Sequence, residues 1–310
     1  MPVKKLLSFI QSIRPVNLFI IVFTQYLIRH YLILPAYEVE KNYTGLFPLN
    51  MSEEYFFLLV LSTILIAAAG YILNDNLDAG IDRVNRPQKK SFAAGISRAA
   101  AINTFIILSA ISIVIAFFLA DSILNFWLGF VQATSVALLA LYSGVLKKII
   151  LAGNLTVALL SAFVPLIVGL YEPSFYPNFS YIYIYAGFAF MISLIREIVK
   201  DAEDVEGDKI SGRKTIPVVL GISTSKVIIS VLIILTATLA GKILYDFFYS
   251  YQYFNFWKIF SEFELPFFLL LGLTLRAKEK KDFSLLSALL KIVMLLGILT
   301  ILPLYYFLLT

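Results

Sequence analysis

From Tyr55 to Asp82 the chain reads YFFLLVLSTILIAAAGYILNDNLDAGID. Positions 55–74 carry no charged residue, and a helix needs about 20 mainly apolar residues to cross the hydrocarbon core of a bilayer. Positions 75–82 then hold three aspartates. An uncharged span running straight into an acidic loop is the pattern from which the rest of the chain is read.

The 310 residues are 60% apolar, 15% aromatic and 15% charged, with a mean hydropathy of +0.87. A soluble domain is roughly 45–50% apolar and about 25% charged. The composition excludes a soluble enzyme and a disordered tail protein, and the absence of cysteine excludes a disulfide scaffold. The expected fold is an all-α integral membrane protein forming a single domain, 1–310. Nine transmembrane helices are expected near 15–35, 55–74, 99–120, 122–146, 149–171, 174–195, 219–245, 259–275 and 292–310. Glu262 and Glu264 intrude on the eighth. Arg29 and His30 intrude on the first, where they are expected to snorkel to the nearer interface. Met1–Arg14 is short and lacks a small-residue cleavage site, so no removable signal peptide is expected.

The net charge of +5 would be a weak nucleic-acid signal in a soluble protein, and no nucleic-acid partner is expected here. Its distribution matters more. Of 25 Lys and Arg, 21 fall at the N-terminus or in the segments 75–98, 147–148, 196–226 and 276–291. The excess of basic residues places these segments in the cytoplasm and the C-terminus outside. The sequence does not bear on oligomeric state.

Two of these loops are acidic. If the second span continues as a helix, Asp75, Asp78 and Asp82 fall at i, i+3 and i+7 on one face, with Asn74 one turn from Asp78. Asp201, Asp204 and Asp208 repeat the spacing. Like charges on one face repel and call for a cation. Carboxylate oxygens suit a hard ion such as Mg²⁺, which keeps waters and shares phosphate oxygens. Two such clusters facing each other would hold two metal ions around one diphosphate. Ordinary solvated loops, with pairs such as Asp82–Arg86 and Lys200–Asp204, remain the other reading.

The run Asn74-Asp75-x-x-Asp78-x-x-x-Asp82, with Arg86-Pro87, resembles the first aspartate-rich motif of the UbiA-type membrane prenyltransferases. Asp201-x-x-Asp204-x-x-x-Asp208, with Gly212-Arg213-Lys214-Thr215, resembles their second. Arg14-Pro15-x-Asn17 and Tyr142–Lys147 are similar to further family motifs. The resemblance implies a helical bundle with a central cavity open sideways to lipid, a cytoplasmic cap formed by the two loops, and two Mg²⁺ ions that bind a prenyl diphosphate. Asn74 and Asp78 would hold one ion, and Asp204 and Asp208 the other. Asp75, Asp82 and Asp201 would act on the metals directly or from one layer out. Gly207 departs from the most acidic versions of the second motif, which bears on whether the helix continues through Asp208.

A departing diphosphate needs cations whose pull strengthens as charge develops. Arg86, Lys147, Arg196 and Lys200 fall at helix ends beside the acidic loops. Lys147 and Arg196 are the catalytic candidates, and Arg86 and Lys200 the substrate-binding ones. Headgroup anchoring is the other reading of such residues, and the preferred one for Lys148 and Lys214. A buried amide within a span must find a partner. Asn17 and Asn154 are candidates for facing substrate, and Gln132 for joining helices. Tyr142 is the aromatic candidate for stabilising a carbocation. The single histidine, His30, lies far from the acids.

The expected chemistry is transfer of a long isoprenyl group from its diphosphate to a lipophilic acceptor among membrane lipids. Arg196–Asp208 with Lys214-Thr215-x-Pro217, and Gly153-Asn154, look most like the family members that alkylate a glycerol phosphate lipid. That resemblance implies a geranylgeranyl donor, geranylgeranylglyceryl phosphate as acceptor and an ether product. An aromatic quinone precursor is the alternative acceptor, and a terpene cyclase on the same scaffold ranks below both. An ion-coupled transporter would need ionisable residues in mid-span, where this chain has almost none.

Overall fold

The computed structural model describes residues 12–38, 49–85, 97–172, 179–250 and 256–309, and no strand occurs among them. The first span is α1 (Pro15–Glu38), with a π-helical turn at Arg29–Ile33. It is followed by α2 (Glu53–Leu77), α3 (Ala79–Asn85), α4 (Arg98–Ser122), α5 (Trp127–Gly144) and α6 (Ala152–Leu170). Then come α7 (Phe179–Glu203), α8 (Val205–Ile210), α9 (Ile216–Ser250), α10 (Phe256–Arg276), α11 (Lys280–Leu299) and α12 (Ile301–Leu309).

Among the described residues, 8 helical stretches are long and apolar enough to cross a membrane: α1, α2, α4, α5, α6, α7, α9, and α11 continued through α12. The expected span 259–275 exists as helix α10 and is not among those eight, so the expected count of nine is met only in part. The expected span 292–310 is corrected more substantially. Helix begins at Lys280, so most of the expected cytoplasmic segment 276–291 is wound into α11. Two local causes are visible. Glu279 and Asp282 form a reciprocal capping box, and Phe283, Leu286, Ser287 and Leu290 recur at helical spacing on a buried face.

Helix α7 is the spine of the bundle. It packs on α6, α9 and α11. Ile182 near its start joins a core with Ile28, Phe56, Leu59, Leu119 and Tyr171. Ile195, Ile198 and Val199 near its other end join a second core with Ile229, Ile233, Leu270, Phe283 and Leu286. This packing fixes the end of α7 that carries Arg196 through Asp201. Polar side chains also join helices. Ser62 Oγ donates to Gln132 Oε1 at 2.6 Å, and Ser112 Oγ approaches the same oxygen at 3.5 Å.

At the end of the bundle away from the acidic loops, Arg29 does not snorkel. It is 1% exposed and pairs with Glu172, which is also buried. Arg29 Nη2 also donates to Met51 O at 2.6 Å, and Asn50 N donates to Glu172 Oε2 at 3.0 Å. His30 stacks on Tyr26 at 5.6 Å. Removing one partner of a buried pair strands the other charge, whereas removing both does not. Arg29→Met should therefore destabilise the detergent-solubilised protein by about 3–5 kcal/mol, read as a lower Tm. The double variant with Glu172→Leu should recover most of that loss. Equal Tm values for single and double variants would contradict the buried-pair account.

Candidate active site

Neither acidic run is one continuous helix. Helix α2 stops at Leu77, Asp78 occupies the turn, and α3 restarts at Ala79. Likewise α7 ends at Glu203, and Asp204 occupies the position before the short α8 that carries Asp208. The break therefore comes before Gly207, and Asp208 is helical. The expectation of one continuous helical face through each aspartate triad is therefore corrected, since the helix breaks at Asp78 in the first and at Asp204 in the second. Asp75 turns to Arg14, whose Nη2 lies 2.5 Å from Asp75 Oδ1. Asp78 turns instead to Lys147 and Arg213.

The two loops meet through three local devices. Gly207 N donates to Asn85 Oδ1 at 3.0 Å, and a Cβ on residue 207 would collide with the Asn85 side chain. Glycine is what allows α3 and α8 to touch. Gly212 follows α8 with φ +71, the left-handed conformation that closes helices. Its turn brings Arg213 N to Asp208 O at 3.0 Å and Lys214 N to Lys148 O at 3.1 Å. The Arg213 guanidinium thereby bridges Asp78 and Asp208, the latter at 3.5 Å.

Lys147 comes from the tight turn Leu146–Lys148 between α5 and α6. A Cβ on Gly153 would lie 2.9 Å from Lys147 Cα, so glycine lets this turn seat on α6. Lys147 Nζ donates to Asp78 Oδ1 at 2.6 Å and Asn74 Oδ1 at 3.3 Å. Burial pulls the Lys147 ammonium below its usual range, with Asp78 opposing. Burial pushes the Asp208 carboxyl up to about 6, with Arg213 working against the shift and Asp204 adding to it.

The remaining expected residues separate. Asn154 Nδ2 donates to Asp201 Oδ2 at 2.7 Å, so its amide holds a carboxylate. Lys200 pairs with Glu197 at 2.5 Å, not with Asp204, and Arg196 reaches the same Glu197 oxygen at 3.3 Å. Asn17 Nδ2 lies 3.4 Å from Tyr71 Oη. The side chain of Asp82 and all of Arg86 lie outside the described residues. Sequence reasoning left four residues unassigned that the structure brings in: Arg14, Tyr71, Glu197 and Arg213. The signal for Arg213 was its place five residues after Asp208, just past Gly212.

Most of these groups line one cavity of about 2390 Å³, whereas Lys147 and Asn154 lie behind the lining and act on it through Asp78 and Asp201. Asn17, Asn74, Asp75, Asp78, Tyr142, Arg196, Lys200, Asp201, Asp204, Asp208 and Arg213 line it at the acidic end. Ile20, Ile66, Leu139, Leu160 and Phe188 are among its apolar walls. Lys291 of α11 also lines it. A long apolar pocket with charge at one end suits a hydrocarbon chain carrying an anionic head.

The donor set fits a hard divalent cation. Asn74 and Asp78 already direct oxygens at one cationic nitrogen, and every candidate ligand donates oxygen. Among the described residues no three Asp, Glu, His or Cys side chains group closely enough to hold a metal alone. A bound Mg²⁺ would need Asn74, water or phosphate oxygens beside its carboxylates, which is the usual pattern for that ion.

Comparison with known proteins places the chain. Digeranylgeranylglyceryl phosphate synthase of Sulfolobus acidocaldarius is 37% identical over 178 residues, covering 57% of this chain and 62% of the relative. The chain thus spans about three fifths of the length of the curated relatives it matches. A solved chain from work on digeranylgeranylglyceryl phosphate synthase in membranes superposes with a TM-score of 0.62 at 23% identity, covering 96% of this chain and 97% of the other. A UbiA homologue from Archaeoglobus fulgidus, bound to GPP and Mg²⁺, gives 0.56 at 19% identity and covers 94% and 99%. At these identities the superpositions establish the fold. The model of the UbiA prenyltransferase family matches residues 43–294, taking in both acidic loops and the lysine turn between them, and this multi-pass membrane protein belongs to that family.

Proposed function

We propose that the protein transfers a geranylgeranyl group from its diphosphate to the free hydroxyl of geranylgeranylglyceryl phosphate, forming an ether lipid. The observation that carries this reading is the convergence of Asn74, Asp78 and Asp208 on Lys147 and Arg213 at the mouth of the cavity. The relatives named above support the choice of acceptor. The nine-span topology, with the N-terminus in the cytoplasm and the C-terminus outside, belongs to the same proposal. In that topology the 75–98 and 196–226 loops form a cytoplasmic cap.

Two Mg²⁺ ions, held by Asn74 with Asp78 and by Asp204 with Asp208, would supply Lewis-acid charge to the departing diphosphate. The chain's own residues do the rest. Lys147 and Arg213 are held in place by Asp78, ready to exchange a carboxylate oxygen for a diphosphate oxygen whose charge grows as the bond breaks. The bond from the allylic carbon to the diphosphate oxygen is lost with its electron pair. The acceptor oxygen then forms the new carbon–oxygen bond, and its proton passes to a carboxylate or to phosphate. The Tyr142 ring, on the cavity wall, faces positive charge with its π electrons. Apolar walls keep water from the cation.

Asp78→Asn or Asp204→Asn should each cut turnover by about a hundredfold or more while the protein stays monodisperse in detergent, and excess chelator should do the same. Near-normal turnover in both variants, or full activity in chelator, would sink the metal assignment. The acceptor is decided by side-by-side assays with labelled geranylgeranyl diphosphate. Ether product from geranylgeranylglyceryl phosphate is expected, while product only from a hydroxybenzoate or naphthoate would refute the choice. A reporter fused after Thr310 should read extracytoplasmic, and a cytoplasmic signal would overturn the nine-span topology.

A further inference from the structure

The cations around the cavity fall into two sets, divided by the helix face they meet. Asn74, in the last turn of α2, and Asp78, at its C-cap, are one turn apart and meet Lys147 and Arg213. Tyr71 and Asp75 are also one turn apart, offset by about 60° around the helix from the Asn74–Asp78 pair. They meet Arg14, which lies 2.5 Å from Asp75 and 5.0 Å over the Tyr71 ring. From α7 come Arg196 and Lys200, one turn apart, both on Glu197 Oε1 at 3.3 and 2.5 Å. Arg14 lies within electrostatic reach of Glu197 and Lys200 as well.

We propose that Arg14, Arg196 and Lys200 form an anion site of their own, which takes the phosphate monoester of the acceptor lipid. Lys147 and Arg213 are then left to the donor's diphosphate. This rests on the acceptor reading above and revises the expectation that Arg196 serves the diphosphate.

Several observations support it. Arg14, Arg196 and Lys200 meet Glu197 and Asp75, and all five side chains line the cavity, with Asp201 beside them held by Asn154. Arg196 Nε is buried and makes no hydrogen bond among the described residues, so the arginine fork has an unmatched donor. Glu197 holds Arg196 and Lys200 together through one oxygen, the role a phosphate oxygen would take, and arginine presents paired donors that match phosphate geometry. Because Asn74 and Asp75 are consecutive, the two anion sites lie side by side. A short glycerol backbone can hold its phosphate in one and present its hydroxyl to the other. Arg14 also has a left-handed backbone, φ 52, directly before Pro15, a conformation the following proline disfavours. Its pairing with Asp75 and its stacking on Tyr71 hold it there.

The test measures KM for each substrate separately, using the Mg²⁺-loaded protein in detergent. The acceptors are geranylgeranylglyceryl phosphate and the same lipid without phosphate. Arg196→Gln and Arg14→Gln should each raise the acceptor KM about tenfold or more, with the donor KM changed by less than about threefold. Both should narrow the preference for the phosphorylated acceptor, and Arg196→Lys should restore part of it. The retained donor KM reports that each variant is folded. If the donor KM rises in step with that of the acceptor, the three cations belong to the diphosphate site and the proposal falls. It falls equally if neither variant changes the acceptor KM. A wild-type protein that makes no ether from this lipid removes the acceptor reading and this site with it. An active wild type with unaffected variants removes only the site.

Discussion

Carboxylates brought together at one end of an apolar bundle repel one another, and the acidic end of this protein is organised by the cations that offset that repulsion. Arg213 is the central one. It is the residue that ties Asp78, from the first loop, to Asp208, from the second. Without an intervening cation the two loops, 135 residues apart at the Arg213–Asp78 contact, would push each other away. The arrangement also suits catalysis. A cation that is paired with protein carboxylates at rest is oriented before substrate arrives, and electrostatic groups fixed in advance cost no reorganisation during reaction.

The backbone follows the same demand. Two helix breaks, at Asp78 and Asp204, turn short helices α3 and α8 across the cavity mouth, where they pack on each other. Asn85 joins them on the outside. Its side chain accepts from Gly207 N, and its carbonyl accepts from Lys280 Nζ at 2.5 Å, which couples the lid of the cavity to the start of α11. Lys280 also approaches Asp204 at 3.8 Å. The cap is therefore held by polar bonds while the shaft below it is held by apolar packing. That division is what a chain with one end in water and its length in lipid requires.

Much of this was legible in the sequence. Long uncharged stretches identify spanning helices because hydropathy is a local property that needs no knowledge of neighbours. The two matched acidic runs, the Lys147 turn and the Asp-rich motifs likewise pointed to an anion-handling end. Three readings failed for a common reason. Arg29 looked able to snorkel, but Glu172, 143 residues away, supplies a buried counter-charge. The segment before position 292 looked like a basic loop, but its apolar residues had a core to meet. Asp75, Asp78 and Asp82 looked like one continuous helical face, but the helix breaks at Asp78.

The sequence by itself determined the membrane class, the helical architecture and the identity of the charged groups, because composition, period and spacing act over one or two turns. The tertiary structure alone decided which carboxylate meets which cation. Asp75 and Asp78 are three residues apart, yet one faces Arg14, 61 positions away, and the other faces Lys147, 69 positions away. Their partners follow from how α1, the Lys147 turn and the loop after α8 pack around the end of α2. In a low-dielectric setting that packing, rather than the residue type, sets what each charge can do.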